Sequence, residues 1–443
     1  MRCRSFAVLM TLLLVGIVSA AHATQLTVKG NLDVYGLWSA NLFDFDSDKG
    51  DADNYFTSQR MRTYFTFAAN ENLKAVLGLE MDQIWGQDSG GDWGTDGKSN
   101  IKIKHAYTDF NFPDTTVNVK AGLQYVALPS VFGHPVFDDD AAALVVSAPV
   151  SEMFGVTVGY SRGADKYANI DDGIGDDYDS SDDMDMAFIA TPLTFDGAGL
   201  TPYFGYVWLG GDYDFTDQQG LDSKLDLSLA EGDDISIWFL GANAKLNMFD
   251  PLVLAADVIY GALDSDDFES AGWYAALSAS YKLDMMVATL FGTYATGLDD
   301  EEDDQTVLPT LAEDWKVTPN LGGLRAFSTA SDTFFTKAVG VGSDGTGLWT
   351  VGLILDKITF VDNLSHKLIL AYAEGTGDEG TSYFTEEDSG WELYLVNQYT
   401  IYENLAAINE LGYFKGSSEK YDDEEGEDFD ASYFATIGFA YKF

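Results

Sequence analysis

The chain has 443 residues, a formal net charge of −48, 46% hydrophobic and 14% aromatic residues, and one cysteine. An acidic surface on this scale repels nucleic acid and attracts cations, and the aromatic content excludes an acidic disordered chain. With Cys3 as the single cysteine there is no internal disulfide, so packing and hydrogen bonds must hold the fold.

Residues 1–23 read as a secretory leader. Arg2 and Arg4 give a basic start, 6–19 is an apolar run, and Ala21-His22-Ala23 is a small-x-small cleavage site. The run is too short for a spanning helix of roughly 20 residues. Cleavage leaves one expected domain, 24–443, and the loss of Arg2 and Arg4 takes −48 to −50.

From Gln25 the chain alternates. In QLTVKGNLDVYGLWSANL the even positions are Leu26, Val28, Gly30, Leu32, Val34, Gly36, Trp38, Ala40 and Leu42, and the odd ones are polar apart from Tyr35 and Leu37. Successive side chains of a strand point to opposite faces, so this stretch has one apolar and one wet face. It far exceeds the usual strand of about 5–6 residues. The pattern returns at 60–69, 73–85, 117–125, 252–262, 273–283, 391–402 and 432–443, with no sustained helical period.

The connectors alternate too. Short ones are NEN (70–72), FPDTT (112–116), NMFDP (247–251), KLD (282–284) and YEN (402–404). Long acidic ones include FDFDSDKGDADN (43–54), IDDGIGDDYDSSDDMD (170–185), LDDEEDDQ (298–305) and KYDDEEGEDFD (420–430). Pairing short with long predicts about eighteen strands, nine long loops on one side, and short turns with both chain ends on the other. Merging the weak strands at 144–150 and 154–162 gives sixteen.

A β-sandwich or propeller predicts strands of about 5–6 residues and connections short on both sides. Long strands, lopsided loops and aromatics at strand ends (Trp85, Tyr125, Trp273, Trp391, Tyr399) predict a transmembrane antiparallel β-barrel, which leaves no unpaired edge in lipid. The oily face is then a wall turned to lipid or to another subunit. The last strand, SYFATIGFAYKF, alternates to a terminal Phe443 and resembles the signal that outer-membrane barrels present to their assembly machinery.

Taking odd positions as outward on 73–85 and 117–125 turns Lys74, Glu80, Asp82, Asn118, Lys120 and Gln124 inward. The same choice points Arg60, Arg62, Lys102 and Lys104 into the lumen. Four arginines follow the leader, and two of them share one face of one strand. The connector YVALPSVFGHPVFDDDAAALVVSAPV (125–150) then places Pro129, Pro135, Val131, Phe132, Val136 and Phe137 ahead of Asp138-Asp139-Asp140. An exposed loop has little use for such apolar residues. The stretch near 126–142 is expected to fold into the barrel, with its aspartates across a gap from the basic row.

RMRTYFTF (60–67), LKAVLGLEMD (73–82), KHAYTDF (104–110), VKAGLQY (119–125), the strand directly after the leader and the terminal phenylalanine together resemble a trimeric outer-membrane porin, closest to the homotrimeric porins of sulfate-reducing bacteria. The resemblance covers 24–443, best at both ends. It implies a homotrimer in the outer membrane of a Gram-negative bacterium, in contact with lipid, lipopolysaccharide and the barrel assembly machinery. Small solutes and ions would pass by diffusion. It also implies that the third outer loop narrows the pore, with Asp138, Asp139 and Asp140 facing Arg60, Arg62 and Lys104, joined by Lys102 and Lys120.

Catalysis finds little support. His105, His134 and His366 form no metal-ligand pair and neighbour no obvious nucleophile, and there is no G-x-S-x-G or phosphate-cradling glycine loop. No cofactor is expected beyond calcium held loosely by Asp172, Asp176 and Asp177 in DGIGDD (172–177), a single copy of a calcium-turn fragment. The expected function is a diffusion porin whose acidic mouth favours cations. A substrate-selective channel of the sugar type needs a continuous inward aromatic track, whereas Tyr64, Phe110 and Tyr394 are scattered. A barrel displaying its loops as a receptor or adhesin is the reading from another class. If 126–142 lies outside the lumen, the connector 298–347 is the next candidate for the constriction.

Overall fold

A computed structural model describes residues 24–41, 47, 54–86, 100–164, 183–211, 234–266, 268–299, 304–312, 315–317, 347–379, 381, 385–417 and 430–443. The expected leader, residues 1–23, and the calcium candidates Asp172, Asp176 and Asp177 lie outside these residues.

Each alternating segment is a strand. The first seven are β1 (Gln25–Ala40), β2 (Asn54–Asn70), β3 (Leu73–Ile84), β4 (Asn100–Asn111), β5 (Asn118–Ala127), β6 (Asp138–Pro149) and β7 (Gly155–Ala164). Next come β8 (Met184–Ala190), β9 (Leu193–Phe195), β10 (Ala198–Leu209), β11 (Ile235–Phe249), β12 (Leu252–Asp264), β13 (Glu269–Lys282) and β14 (Val287–Ala295). The last are β15 (Asp304–Gln305), β16 (Leu348–Val361), β17 (Leu364–Gly375), β18 (Ser389–Tyr402), β19 (Leu405–Ser417) and β20 (Ser432–Lys442).

Chain neighbours pair antiparallel, and β1 pairs with both β2 and β20, which closes the sheet. β9 continues β8 past Thr191-Pro192, and both pair with β10. β15 is a two-residue parallel addition to β13 inside a connection. The wall therefore has eighteen strands. The sixteen-strand alternative fails because β6 and β7 are separate strands, paired from Ala143↔Ser161 to Pro149↔Gly155.

Both described chain ends lie on the side of the short turns. The opposite side carries the long connections, with one difference from the sequence reading: β12 and β13 are joined by residues 265–268 alone. There the Ser265 N–H donates to Phe268 O at 3.0 Å and Phe268 N–H donates to Ser265 Oγ at 3.0 Å, a turn tight enough to need no loop.

The oily face points out. On β1, Asp33, Tyr35, Leu37 and Ser39 are buried inside, while Leu26, Val28 and Trp38 are exposed. Tyr35 and Leu37, the apolar intruders in the wet set, pack with Ile369, Tyr394 and Phe434 on the inner wall. Tryptophans gather at the loop-side rim, paired with tyrosines: Trp273–Tyr294 at 4.9 Å and Trp391–Tyr413 at 4.8 Å between ring centroids. These amphipathic rings suit a membrane–water boundary. At the seam Gly30 and Phe443 exchange backbone hydrogen bonds of 2.9 and 3.0 Å, and the Phe443 ring stacks on Tyr441 and fills the space beside Gly30. Gly30 is thus covered by the chain's own last residue.

Candidate channel lining

The inner wall of β1–β6 is built from charged residues in registered rows. Asp33 lies opposite Arg60, and Arg60 opposite Asp82; in the next row Asn31, Arg62, Glu80 and Lys102 follow one another across β1–β4. Cross-strand neighbours of opposite sign attract and like signs repel, so alternation of this kind stabilises the register. Arg60 Nε lies 2.5 Å from Asp82 Oδ1 and 3.8 Å from Glu80 Oε2, and Arg62 Nε donates to Glu80 Oε2. Lys102 Nζ lies 3.6 Å from Asp82 Oδ2. Toward the turn end Lys74 Nζ meets Asp109 Oδ2 at 3.0 Å, and the Lys120 ammonium sits 5.1 Å from the centre of the Tyr107 ring.

Seven bases (Lys29, Arg60, Arg62, Lys74, Lys102, Lys104, Lys120) thus share this wall with six carboxylates (Asp33, Glu80, Asp82, Asp109, Asp139, Asp140). The row is close to neutral, and its carboxylates come mostly from strands. Its middle is dry and its ends are wet: the Arg60 and Glu80 side chains are 6% and 8% exposed, Lys102 and Lys74 62% and 44%.

A β-bulge at Lys104 changes the facing of β4. Gly78 pairs with His105, but Leu79 pairs with Ile103, so one extra residue is inserted and the parity flips. His105 therefore turns inward beside Tyr64, their rings 5.3 Å apart over Gly78. Phe110, which sequence parity points inward, shares a face with the exposed Leu73 and meets exposed Phe112 edge to face instead.

Asp138, Asp139 and Asp140 do not sit in the connection. They open β6, paired with Ala127, Val126 and Tyr125, so the connection itself is 128–137 rather than 126–142. Aspartate is depleted in strands, and here side-chain partners offset that cost. Asp138 accepts the Tyr125 hydroxyl at 2.5 Å, and exposed Asp139 accepts the Asp140 N–H at 2.6 Å. Asp140 binds Lys104 Nζ and, at 2.9 Å, His105 Nε2. Asp140 is thereby brought to the basic row. Arg60, Arg62 and Lys102 find their carboxylates on β3 instead.

The wall of β8–β14 is different. Its inward residues include Phe188, Tyr203, Phe239, Ile259, Tyr274 and Phe291, all 7% exposed or less. Tyr203, Phe239 and Phe291 each lie against a glycine on the next strand (Gly241, Gly205 and Gly352), so the rings flatten onto the wall. The connection 128–137 crosses the lumen to reach this bed. Phe132 packs on Phe291 at 5.4 Å, Val131 N–H donates to Asp257 Oδ2 at 2.6 Å, and Val136 and Phe137 are buried in the same cluster.

His134 is wholly buried. Its Nδ1 accepts the N–H groups of Val136 and Phe137 at 3.1 and 3.0 Å, which leaves the ring proton on Nε2, 2.9 Å from the Tyr203 hydroxyl. Burial pushes its pKa down from 6.5 to about 3, so the ring is neutral.

A second connection lies on the first. Leu311 and Ala312 N–H both donate to Val136 O (3.0 and 3.1 Å), Asp138 N–H donates to Ala312 O at 2.7 Å, and Lys316 N–H donates to Phe132 O at 2.5 Å. Buried Trp315 donates from Nε1 to the Tyr274 hydroxyl at 2.9 Å. Parts of both 126–142 and 298–347 therefore meet inside the barrel. His105, Asp257, Tyr203 and Trp315 were missed in the sequence. The bulge hides the first, and the others act through contacts far apart along the chain.

No protein-family model matches the sequence, and no curated protein matches it either. Solved structures do, outer-membrane porins among them. Acinetobacter baumannii OccAB3 is 12% identical with a TM-score of 0.55, covering 94% of this chain and 99% of its own. Pseudomonas aeruginosa OccK8 (OprE) is 10% identical with a TM-score of 0.54, covering 95% and 98%. OccK11 (OpdR) of the same organism is 10% identical with a TM-score of 0.53, covering 94% and 95%. At such identities the likeness establishes the fold alone: a closed antiparallel β-barrel.

Proposed function

We propose that this chain is an outer-membrane porin of a Gram-negative bacterium, passing small hydrophilic solutes and ions by passive diffusion along the charged wall of β1–β6. The observation that carries the reading is the contrast in exposure across the interior. Lys102, Lys74, Arg62 and Lys104 keep 62, 44, 22 and 23% of their side chains exposed, whereas the β8–β14 aromatics lie under the two inward connections. The named aromatics of that wall are covered, so they offer no track for sugar faces, and no step of the reading uses catalysis or a cofactor.

Selectivity is for cations. The near-neutral ladder leaves the field to a chain of net charge −48, and a fixed negative potential concentrates cations within about a Debye length, roughly 10 Å at 0.1 M salt. The protein works as a homotrimer embedded among lipid and lipopolysaccharide, delivered by the barrel assembly machinery through the strand ending at Phe443. The resemblance to trimeric porins of sulfate-reducing bacteria supports this, as do the small outward residues Gly36 and Ala40. A substrate-selective channel is the second reading, favoured by the packing of two connections across one lumen.

Planar-bilayer recording under a salt gradient tests the proposal. Ohmic conductance with a cation-selective reversal potential is expected. No conductance, or anion selectivity at low salt, overturns it.

A further inference from the structure

We propose that Asp257 is the positioning residue of the channel: its carboxylate holds the connection 128–137 across the lumen and so sets the passage beside the charged wall. The inference rests on the porin reading for its consequence, but the holding itself is a matter of geometry.

Asp257 sits inward on β12, 4% exposed, opposite Asn243 of β11. Its two oxygens are divided between wall and connection. Oδ1 accepts Asn243 Nδ2 at 2.6 Å, and Oδ2 accepts the Val131 N–H at 2.6 Å. Ser130 Oγ stands 3.1 Å from Oδ2 and 2.5 Å from Gly133 O, so its single proton is shared between the carboxylate and the turn of its own connection. The Val131 amide is thus captured by an ionised acceptor away from bulk water, where a charge-assisted bond is at its strongest and an unmade one costs most.

The other contacts of this segment divide the remaining work. Phe132 and Phe291 give an apolar contact, His134 and Tyr203 a neutral hydrogen bond, and Leu311, Ala312 and Lys316 a backbone seam with another connection. That seam holds two connections to each other, while Asp257 ties the 130–131 turn to the strands. Connection 128–137 has its feet on β5 and β6, far around the barrel from β12. Without the tie, 128–137 keeps its apolar contacts but loses its fixed distance from the opposite wall.

The chemistry of the pair supplies a sharp test. Asp257→Asn is nearly isosteric, yet an amide there has one acceptor oxygen for two donors. In one orientation it turns an NH2 toward the Val131 N–H; in the other Asn243 must turn its own amide over to accept from it, and Val131 keeps a neutral acceptor in place of a charged one. Exchanging the partners, Asp257→Asn with Asn243→Asp, restores the match: the new amide donates to the new carboxylate and offers its oxygen to Val131. The milder Asn243→Ala leaves the carboxylate with one side unsupported.

The experiment reads single-channel current in planar bilayers and, separately, hydrogen–deuterium exchange of residues 128–137 in detergent, with the heat-dependent gel shift of the barrel as a control for folding. Asp257→Asn should raise open-channel noise several-fold and speed exchange in 128–137 several-fold while the gel shift persists. The exchanged pair should return both to the parent values, and Asn243→Ala should move both in the same direction by less. If Asp257→Asn fails to fold, the exchanged pair and Asn243→Ala decide the matter alone. Parent-like noise and exchange in the folded variants overturns the role of Asp257. A silent parent protein overturns the porin reading, and the exchange measurement still judges the tie.

Discussion

The walls of β1–β6 and β8–β14 come from the same alternation and reach opposite interiors. On the first, inward positions carry charges in rows of alternating sign, Asp33–Arg60–Asp82 and Arg62–Glu80–Lys102. On the second they carry flattened rings, and two connections are packed over them. A barrel's outward face must match lipid. Its inward face answers only to what comes to lie on it, water on one side and chain on the other. One half of the interior is therefore a hydrophobic core in the ordinary sense, and the other half is a charged wall.

If that division is right, truncating the core half should be the costlier change. Phe239→Ala removes a ring 1% exposed beneath the inward connections, and such truncations cost about 3–5 kcal/mol. Denaturant unfolding in detergent should show it. The same truncation at Leu240, 55% exposed on the outward face, should cost much less.

Acid should attack the same half. His134 has its pKa lowered to about 3 from 6.5. Its contribution to docking is complete above the unfolded value and is lost as pH falls from about 6.5 toward about 3, because the undocked ring takes up a proton that the docked ring refuses. Exchange protection of 128–137 should decline over that range.

The charged half breaks differently. Arg60→Ala leaves Asp82 beside Glu80 without the guanidinium that bridges them, while Arg62 and Lys102 remain; removing one partner of a buried pair costs on the order of 3 kcal/mol. The reversal potential should move further toward cations. Lys102→Ala, at the exposed end of the row with its ion pair at 3.6 Å, should change stability by no more than about 0.5 kcal/mol.

How far this division can be read in the sequence depends on the residue. The fate of Leu26, Val28 and Trp38 follows from parity alone, because a strand offers two faces and lipid claims one. Parity fails after Lys104, where a bulge that leaves no mark in composition turns His105 in and Phe110 out. Asp138–Asp140 look like loop residues because aspartate seldom suits a strand, yet backbone pairing with β5, Tyr125 and Lys104 holds them there. That Val131, Phe132, Val136 and Phe137 are too apolar for an exposed loop is visible in the sequence. That Asp257, Tyr203 and Phe291 receive them is not, since each contact spans far more chain than any local pattern covers.

The most direct test of a passage along the charged wall is blockade by a thiol reagent. Cys3 is the single cysteine, so with Cys3→Ser in the background an introduced cysteine reports alone. Single-channel conductance should be recorded before and after adding a small water-soluble methanethiosulfonate to Lys102→Cys, on the charged wall, and to Ala276→Cys, 4% exposed beside Tyr274 on the aromatic wall. The prediction is a stepwise fall in conductance at 102 and no change at 276. A fall at 276 with none at 102 would place the passage on the other side of the barrel and contradict the division.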